Sequence, residues 1–533
     1  MITMSVQEAA QAVSGRIVPV SDGMRQELPA DLAVTGVATD SRQVRPGSVF
    51  VAIAGERVDG HDFLASAASA GALAAIVDHE VSGATLVQIV VDDTVRALGA
   101  LAKHNLELRR ALPGDFSIVG ITGSVGKTTT KDLLHALLGE LGPTVAPVGS
   151  FNNNIGMPLT ALQVDPATRF LIAEMGANHV GEISRLTAIA PPDVSVVLKV
   201  GTAHLGEFGS VERIARAKSE IVRGLVPHGV SVLNADDPRV AAMASLAPGE
   251  VLWFAPRLDG QKGPQKNVGN AGPRAAGTLV ARNIEIDGLD HPRFTMQAAA
   301  GNSAGDHGGG SGNNADAAGA VTVWLGLTGR HNVANALAAA AVARHFGMSL
   351  EQIARGLGRV ERISPHRMAI SQVEEEPGVC FTLIDDSFNA NPDSMKAGLD
   401  GLAAWQPGEG EPVYRIAVLG AMLELGDSEG SMHEQIGAYA VHTGIDALIA
   451  VGSDADAHLD ALAAGLARGA SRESEQRGGS NVSIDLVHGI EQARGAVRDK
   501  VHAHSGVIVL LKGSHACELD ELAEQWTASS GKA

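Results

Sequence analysis

Short apolar runs alternate with stretches of helical periodicity along most of the chain, a pattern that predicts α/β layers built on largely parallel sheets. The first block holds Val49-Phe-Val-Ala-Ile53, an Ala-rich helix around Ala65–Ala70 and the strand Ala74–Val77. It ends near the turn-forming Leu112-Pro-Gly-Asp115. The second block opens with Phe116–Ile121, a strand running straight into glycine, and continues through Phe170–Ala173 and Val194–Leu198. Unbroken apolar runs of this kind suit strands buried on both faces. The third begins near Ile363-Ser-Pro365, with strands expected at Thr382–Ile384, Arg415–Leu419, Ala447–Val451 and Val507–Leu511. The expected domains are therefore 1–113, 114–362 and 363–533, in keeping with 533 residues at roughly 150 per domain. No internal repeat is evident.

Two tracts interrupt the alternation. Asp259–Gly277 is rich in Gly, Pro, Asn and Lys, and Ala298–Ala320 in Gly, Asn, Ser and Ala. Neither has the apolar surface to offset its ordering entropy, so both read as mobile surface insertions, as does the shorter polar Ser471–Asn481. His307 within them reads as a solvated linker histidine rather than a metal ligand.

Composition narrows the function classes. A formal charge of −19 argues against nucleic acid or an anionic membrane surface as partner, and 3% aromatic content leaves few base-stacking platforms. Two cysteines, Cys380 and Cys517, make neither a disulfide framework nor a Cys-rich zinc site. No apolar run approaches a membrane span, and the first residues lack the basic-then-apolar pattern of a secretory signal, so a cytoplasmic protein is expected.

The strongest local signal is Gly120-Ile-Thr-Gly-Ser-Val-Gly-Lys-Thr-Thr-Thr130, after a strand and before the helix-like Lys131–Leu138. Such a loop gathers unpaired backbone N–H groups and a helix N-terminus around one point, an anion cradle. Thr122, Gly123, Ser124, Val125, Gly126 and Thr129 would form its wall, with Lys127 reaching terminal phosphates and the Thr128 hydroxyl binding the accompanying Mg²⁺. The first glycine falls at Gly123, three before Gly126, so the strict eight-residue phosphate-loop spacing is not met.

Other polar residues follow strands in the same way. Glu174 ends an apolar strand, where a carboxylate can hold Mg²⁺ or simply be capped or salt-bridged. His204, after the next strand, reads as a metal ligand when taken with Glu174 and the loop, although a lone histidine is more often structural. Lys218, taken alone, is an ordinary exposed helix lysine, and Asn332 is best read as a helix cap. The run Asp385-Asp-Ser-Phe-Asn-Ala-Asn391 is either a ligand-gripping loop or a plain Asx-turn loop. Lys512, beside Gly513 at the last strand's end, is a weaker candidate anion contact.

Together these segments resemble the Mur ligases, the ATP-dependent amide-bond ligases of peptidoglycan precursor synthesis. Thr39-Asp-Ser-Arg42, Val58-Asp-Gly-His-Asp-Phe63, the glycine loop, Phe151-Asn-Asn-Asn-Ile-Gly-Met-Pro158, Glu174-Met-Gly-Ala-Asn178, Ala203-His204, Ala217-Lys-Ser-Glu220 and Gly329-Arg-His-Asn332 carry the resemblance. So does Leu419-Gly-Ala-Met-Leu-Glu-Leu-Gly426. The Asp-Asp-Ser-x-Asn-Ala-Asn-Pro and Asn-Asn-x-Ile-Gly-x-Pro runs are most similar to the branch that adds D-alanyl-D-alanine, and the Asp-Asn-Pro-Arg motif of the branch adding the third residue is not found. The glycine loop itself is shared across the superfamily, folylpolyglutamate synthases included.

The resemblance implies three α/β domains: an N-terminal one for a UDP-sugar, a central parallel-sheet ATPase and a C-terminal Rossmann-like one. It implies ATP and Mg²⁺ as cofactors, with UDP-N-acetylmuramoyl-tripeptide and D-alanyl-D-alanine as substrates joined by way of an acyl phosphate. By position it gives Lys127 to the ATP phosphates, and Thr128, Glu174 and His204 to the metal. Lys218 matches the lysine that family members carbamylate. Asn332 would lie near adenine, and Asp386 and Asn389 would reach the nucleotide from the C-terminal domain. Ser41 and Arg42 would grip the uridine diphosphate, and Asn153 and Asn154 the muramoyl-peptide. Two departures stand out: His515 replaces a common arginine and Phe388 a common tyrosine. A monomer is the default expectation. The competing readings are another amino-acid ligase of the superfamily, a small-molecule kinase that stops at phosphorylation, and a non-catalytic nucleotide-controlled binding protein.

Overall fold

The computed structural model describes residues 1–533 except 19–31, 56–57, 204, 257–277, 299–318, 362, 377, 407–412, 480–481 and 531–533. Both Gly-rich tracts lie almost wholly outside the described residues, as do His307 and His204.

The described strands form three large sheets and one two-stranded ribbon. The N-terminal sheet runs in the order Arg16–Val18, Val87–Val90, Ala74–Val77, Ser48–Val51, Gly36–Ala38, all parallel except the first. Polar segments leave the carboxyl ends of three of its strands: Thr39–Arg42, Val58–Phe63 and Asp78–Glu80.

The central sheet has nine strands, with Ser117–Thr122 between Phe170–Glu174 and Val194–Val197. Ile118, Val119 and Ile121 are fully buried because helices cover both faces, which is why the run does not alternate. Parallel order continues through Val230–Asn234, Val251–Ala255 and Leu279–Ile286. Pro292–Ala298 and Ala320–Trp324 then add antiparallel pairs that the apolar-run pattern alone does not announce. On one face, Lys127–Gly139 packs against Asn332–His345, whose alanines from Ala336 to Ala340 are almost fully buried. Small side chains allow this close approach.

The C-terminal sheet places Val507–Lys512 between Val379–Asp385 and Tyr414–Leu419. The Asp386 loop and Lys512 thus leave adjacent parallel strands side by side, at the carboxyl edge where open α/β sheets bind ligands. The helix Ala457–Gln476 runs through Ser471–Gln476, so half of the tract read as a mobile insertion is ordered. Its apolar residues up to Ala470 are anchored against the sheet and the neighbouring helix Glu429–His442, and the helix continues from that anchor into polar sequence. Among the described residues no helix is long and apolar enough to cross a membrane.

Candidate active site

The glycine loop opens a cavity of ≈790 Å³ lined by both the central and the C-terminal parts of the chain. Its geometry begins with Gly126, the residue before the helix Lys127–Gly139, held at φ 84°. A Cβ there would stand 2.3 Å from Asn335 Oδ1, so both the backbone angle and the helix behind it demand glycine. Lys127 begins the helix and folds back so that Nζ donates to Gly123 O at 3.0 Å, while Ser124 Oγ accepts from Gly201 N at 2.9 Å. Ser124, Val125, Gly126, Lys127, Thr128 and Thr129 line the cavity. Thr122 and Gly123 lie beneath it as buried support, and Thr122 Oγ1 has no partner.

Glu174 is fully buried at the end of the neighbouring strand and paired in register with Ile121. Thr128 Oγ1 donates to its Oε2 at 3.1 Å, and Ser150 Oγ and Asn152 Nδ2 to its Oε1 at 3.2 and 2.8 Å. A carboxylate held by two hydroxyls and an amide is an oxygen-rich cluster suited to a hard cation such as Mg²⁺, so the donor set fits. Asn152 was not singled out by sequence, which favoured Asn153 and Asn154. The structure places those two on the exposed side of the turn. Asn153 Oδ1 instead accepts from Ile155 N and Gly156 N at 3.1 and 2.8 Å, starting the helix Gly156–Ala161. In a run of three asparagines, only the fold decides which one turns inward.

Lys218 corrects another reading. It is 2% exposed and lines the cavity, although one face of the helix Val211–Arg223 is solvated. Burial first, and then the charge of Lys127, lower its pKa to about 7. Burial also lowers that of Lys127, while Glu174 acts in the opposite direction. Asn332 is no cap either. His331 precedes the helix without capping it, and Asn332 Nδ2 donates to Thr328 O at 2.7 Å while its Oδ1 accepts from Asn335 at 2.8 Å. It forms part of the cavity wall with Arg330 and His331.

Across the cavity stand Asp386 and Asn389. Lys512, 1% exposed, pairs with the Asp386 carboxylate and donates to Asn389 O at 3.2 Å, which makes the weakest sequence candidate the anchor of this loop. Arg367 lies 4.4 Å over the Phe388 ring, a contact that needs no phenol hydroxyl. His515 points outward to Asp520 at 2.6 Å and takes no part in the lining. An ion pair of 3.2 Å between Lys199 and Asp393 joins the two parts at the cavity wall, and a hydrogen bond of 3.0 Å from Gly206 N to Glu424 O joins them outside the lining.

Ser41 and Arg42 are not brought to this cavity. They sit on the N-terminal sheet's carboxyl edge, where Arg42 is exposed and forks onto Asp40 at 2.7–3.1 Å. That pairing holds the Asp40 pKa at about 2.

Three family models match the chain: "Mur ligase family, catalytic domain" over residues 33–106, "Mur ligase middle domain" over 121–259 and "Mur ligase, glutamate ligase domain" over 366–515. Over 554 aligned residues it is 39% identical to the UDP-N-acetylmuramoyl-tripeptide--D-alanyl-D-alanine ligase of Mycobacterium tuberculosis, covering 99% of this chain and 98% of that one. The chain belongs to the Mur ligase family. The Escherichia coli ligase of the same name is 35% identical over 84% of this chain and 87% of its own. Among solved structures, MurF from Acinetobacter baumannii superposes with a TM-score of 0.76 at 29% identity, covering 99% of both chains. The MurF ligase of Thermotoga maritima in complex with ADP gives 0.69 at 25%, covering 96% of this chain and 100% of that one. The α/β, three-domain architecture expected of a Mur ligase is therefore the one found.

Proposed function

We propose that this Mur ligase joins D-alanyl-D-alanine to UDP-N-acetylmuramoyl-tripeptide at the expense of ATP, releasing ADP and phosphate. The observation that carries the reading is one cavity uniting the glycine loop, the buried Glu174 carboxylate and the Lys218 amine, faced by Asp386 and Asn389. Its relatives' names supply the substrates.

The chemistry follows from a poor leaving group. A carboxylate does not couple with an amine at neutral pH, because oxide would have to depart. The tripeptide's terminal carboxylate oxygen attacks the γ-phosphorus, and the bridging P–O bond to the β-phosphate breaks. The free amine of D-alanyl-D-alanine then attacks the acyl carbon, the C–O bond to phosphate breaks, and the amine proton is lost. Both steps concentrate negative charge at one centre, which Lys127 and the loop N–H groups stabilise from fixed positions. Thr128 and Glu174 would hold Mg²⁺, which supplies charge neutralisation at the phosphates when bound.

Lys218 deepens the arrangement. With its pKa lowered to about 7 part of it is the free amine at neutral pH, and only the free amine adds to CO₂, giving a carbamate and a proton. The product turns a cation repelled by Lys127 into an anion attracted by it. Asn332 would lie by the adenine, Ser41 and Arg42 by the uridine diphosphate, and Asn153 and Asn154 by the muramoyl-peptide. In this reading the enzyme is a monomer that works in the cytoplasm.

Incubation with ATP, both substrates and Mg²⁺ should yield ADP and a product heavier by D-alanyl-D-alanine less water. ADP release that needs only one of the two acceptors would overturn the reading in favour of a kinase.

A further inference from the structure

A second lysine of the glycine-loop helix has no part in the chemistry above. Lys131 lies one turn beyond Lys127 and is 1% exposed, a position that costs an ammonium several kcal/mol unless its donors are filled. They are filled. Nζ donates to Pro147 O at 2.8 Å, Gly149 O at 3.0 Å and Ser364 Oγ at 3.1 Å, and stands 2.8 Å from Asp132 Oδ1. The other Asp132 oxygen accepts from both Ser364 N and Ser364 Oγ at 2.9 Å.

These bonds join three segments that meet the cavity separately. The helix begins at the anion cradle. The carbonyls at 147 and 149 immediately precede Ser150 and Asn152, which grip Glu174. Ser364 lies where the chain passes from the helix Leu350–Arg359 to the strand Ala369–Glu376, between Ile363 and Arg367, both on the cavity wall. An apolar contact would hold these segments yet let them slide. A buried ammonium with directed acceptors cannot slide without leaving charge and carbonyls unpaired.

We infer that Lys131, with Asp132 and Ser364, is a positioning tie that sets the C-terminal part in register with the glycine loop and Glu174, so that filling the phosphate site moves the crossover at Ser364 with the loop. The inference rests on the ligase reading only for its kinetic readout.

Lys131→Met would strand two carbonyls and risks unfolding, so Ser364→Ala and Asp132→Ala carry the test, with Ser364→Thr as the variant that keeps the hydroxyl. Calorimetry gives Mg·ADP affinity, small-angle scattering gives the contraction on adding Mg·ADP, and steady-state kinetics give kcat and KM. Both alanine variants should bind Mg·ADP within about threefold of wild type yet lose the contraction, with kcat down about tenfold or more. The double variant should be no slower than the slower single one, because the two residues act as one unit, and Ser364→Thr should restore both readouts. Unchanged contraction and kcat in both alanine variants would overturn the tie, as would nucleotide affinity falling in step with kcat, or a wild type that does not contract. Should wild type fail to join the two substrates, the proposed function falls, while affinity and contraction still decide the tie.

Discussion

Two sites in this molecule present cations at the carboxyl edge of a parallel sheet, and they do so in opposite ways. In the central cavity Lys218 is withdrawn from water and has its pKa lowered further by Lys127, which is itself half-buried and faces the Glu174 carboxylate. At the N-terminal edge Arg42 is exposed and already paired with Asp40, two residues away. The two lysines of the cavity are poised for chemistry, because a desolvated cation acts strongly on developing charge and its proton is labile. The exposed pair is suited to recognition, because a guanidinium can trade one anion for another at small cost.

The largest break in this contrast is Lys127→Ala. Removing the phosphate-facing ammonium should lower kcat for ADP release by roughly a thousandfold or more, with the fold intact by circular dichroism. Next comes Lys218→Met, expected to cost about a hundredfold in kcat. ¹³C-enriched bicarbonate should give wild type, and not the variant, a carbamate carbon resonance. The sign of its stability effect follows from the lowered pKa. Below about 7 the folded state must hold a buried ammonium, a penalty relieved as pH rises toward the unfolded value of 10.5. Lys218→Met should therefore raise the midpoint of thermal unfolding more at pH 6 than at pH 10. Equal gains at both would show that the amine is not the strained group.

Arg42→Ala should mark the other side of the comparison. KM for the UDP-linked substrate should rise by about tenfold with kcat nearly unchanged, and a kcat loss like that of Lys218→Met would erase the distinction. The smallest effect is expected at a buried carboxylate that lines neither site. Asp290 is 4% exposed, its Oδ2 has no partner, and burial raises its pKa to about 6. The folded state thus binds a proton more tightly than the unfolded chain, so stability from this group is complete below pH 4 and lost as pH rises through 6. Asp290→Asn should gain on the order of 1–2 kcal/mol at pH 8 and nothing at pH 4, read by urea unfolding.

Local patterns recovered much of the scaffold. The run Ala74–Val77 is a strand with those bounds, and Phe170–Glu174, Val194–Val197 and Val507–Lys512 differ from expectation by one residue at an end. Strands buried on both faces need only apolar side chains in sequence, so they are visible one at a time. The antiparallel extension Leu279–Ile286, Pro292–Ala298 and Ala320–Trp324 is not visible, since its strands mix exposed and buried positions and long polar tracts precede the first and the last. The site divides along the same line. The glycine loop is legible because backbone N–H groups and glycine's φ make it, all within eleven consecutive residues. The inward turn of Asn152, the burial of Lys218, the bracing role of Asn332 and the anchoring of Asp386 by Lys512 are not, because each depends on a neighbour distant in sequence.

The amino-acid sequence by itself therefore determined the α/β alternation, the anion-binding loop and the strand-end positions of its polar residues, all products of short-range sterics and hydrophobic periodicity. Which of those residues lose their water, which acquire a partner and which share one cavity was decided by tertiary structure alone. Desolvation and charge–charge distance are properties of assembled surroundings, and no single stretch of chain contains them.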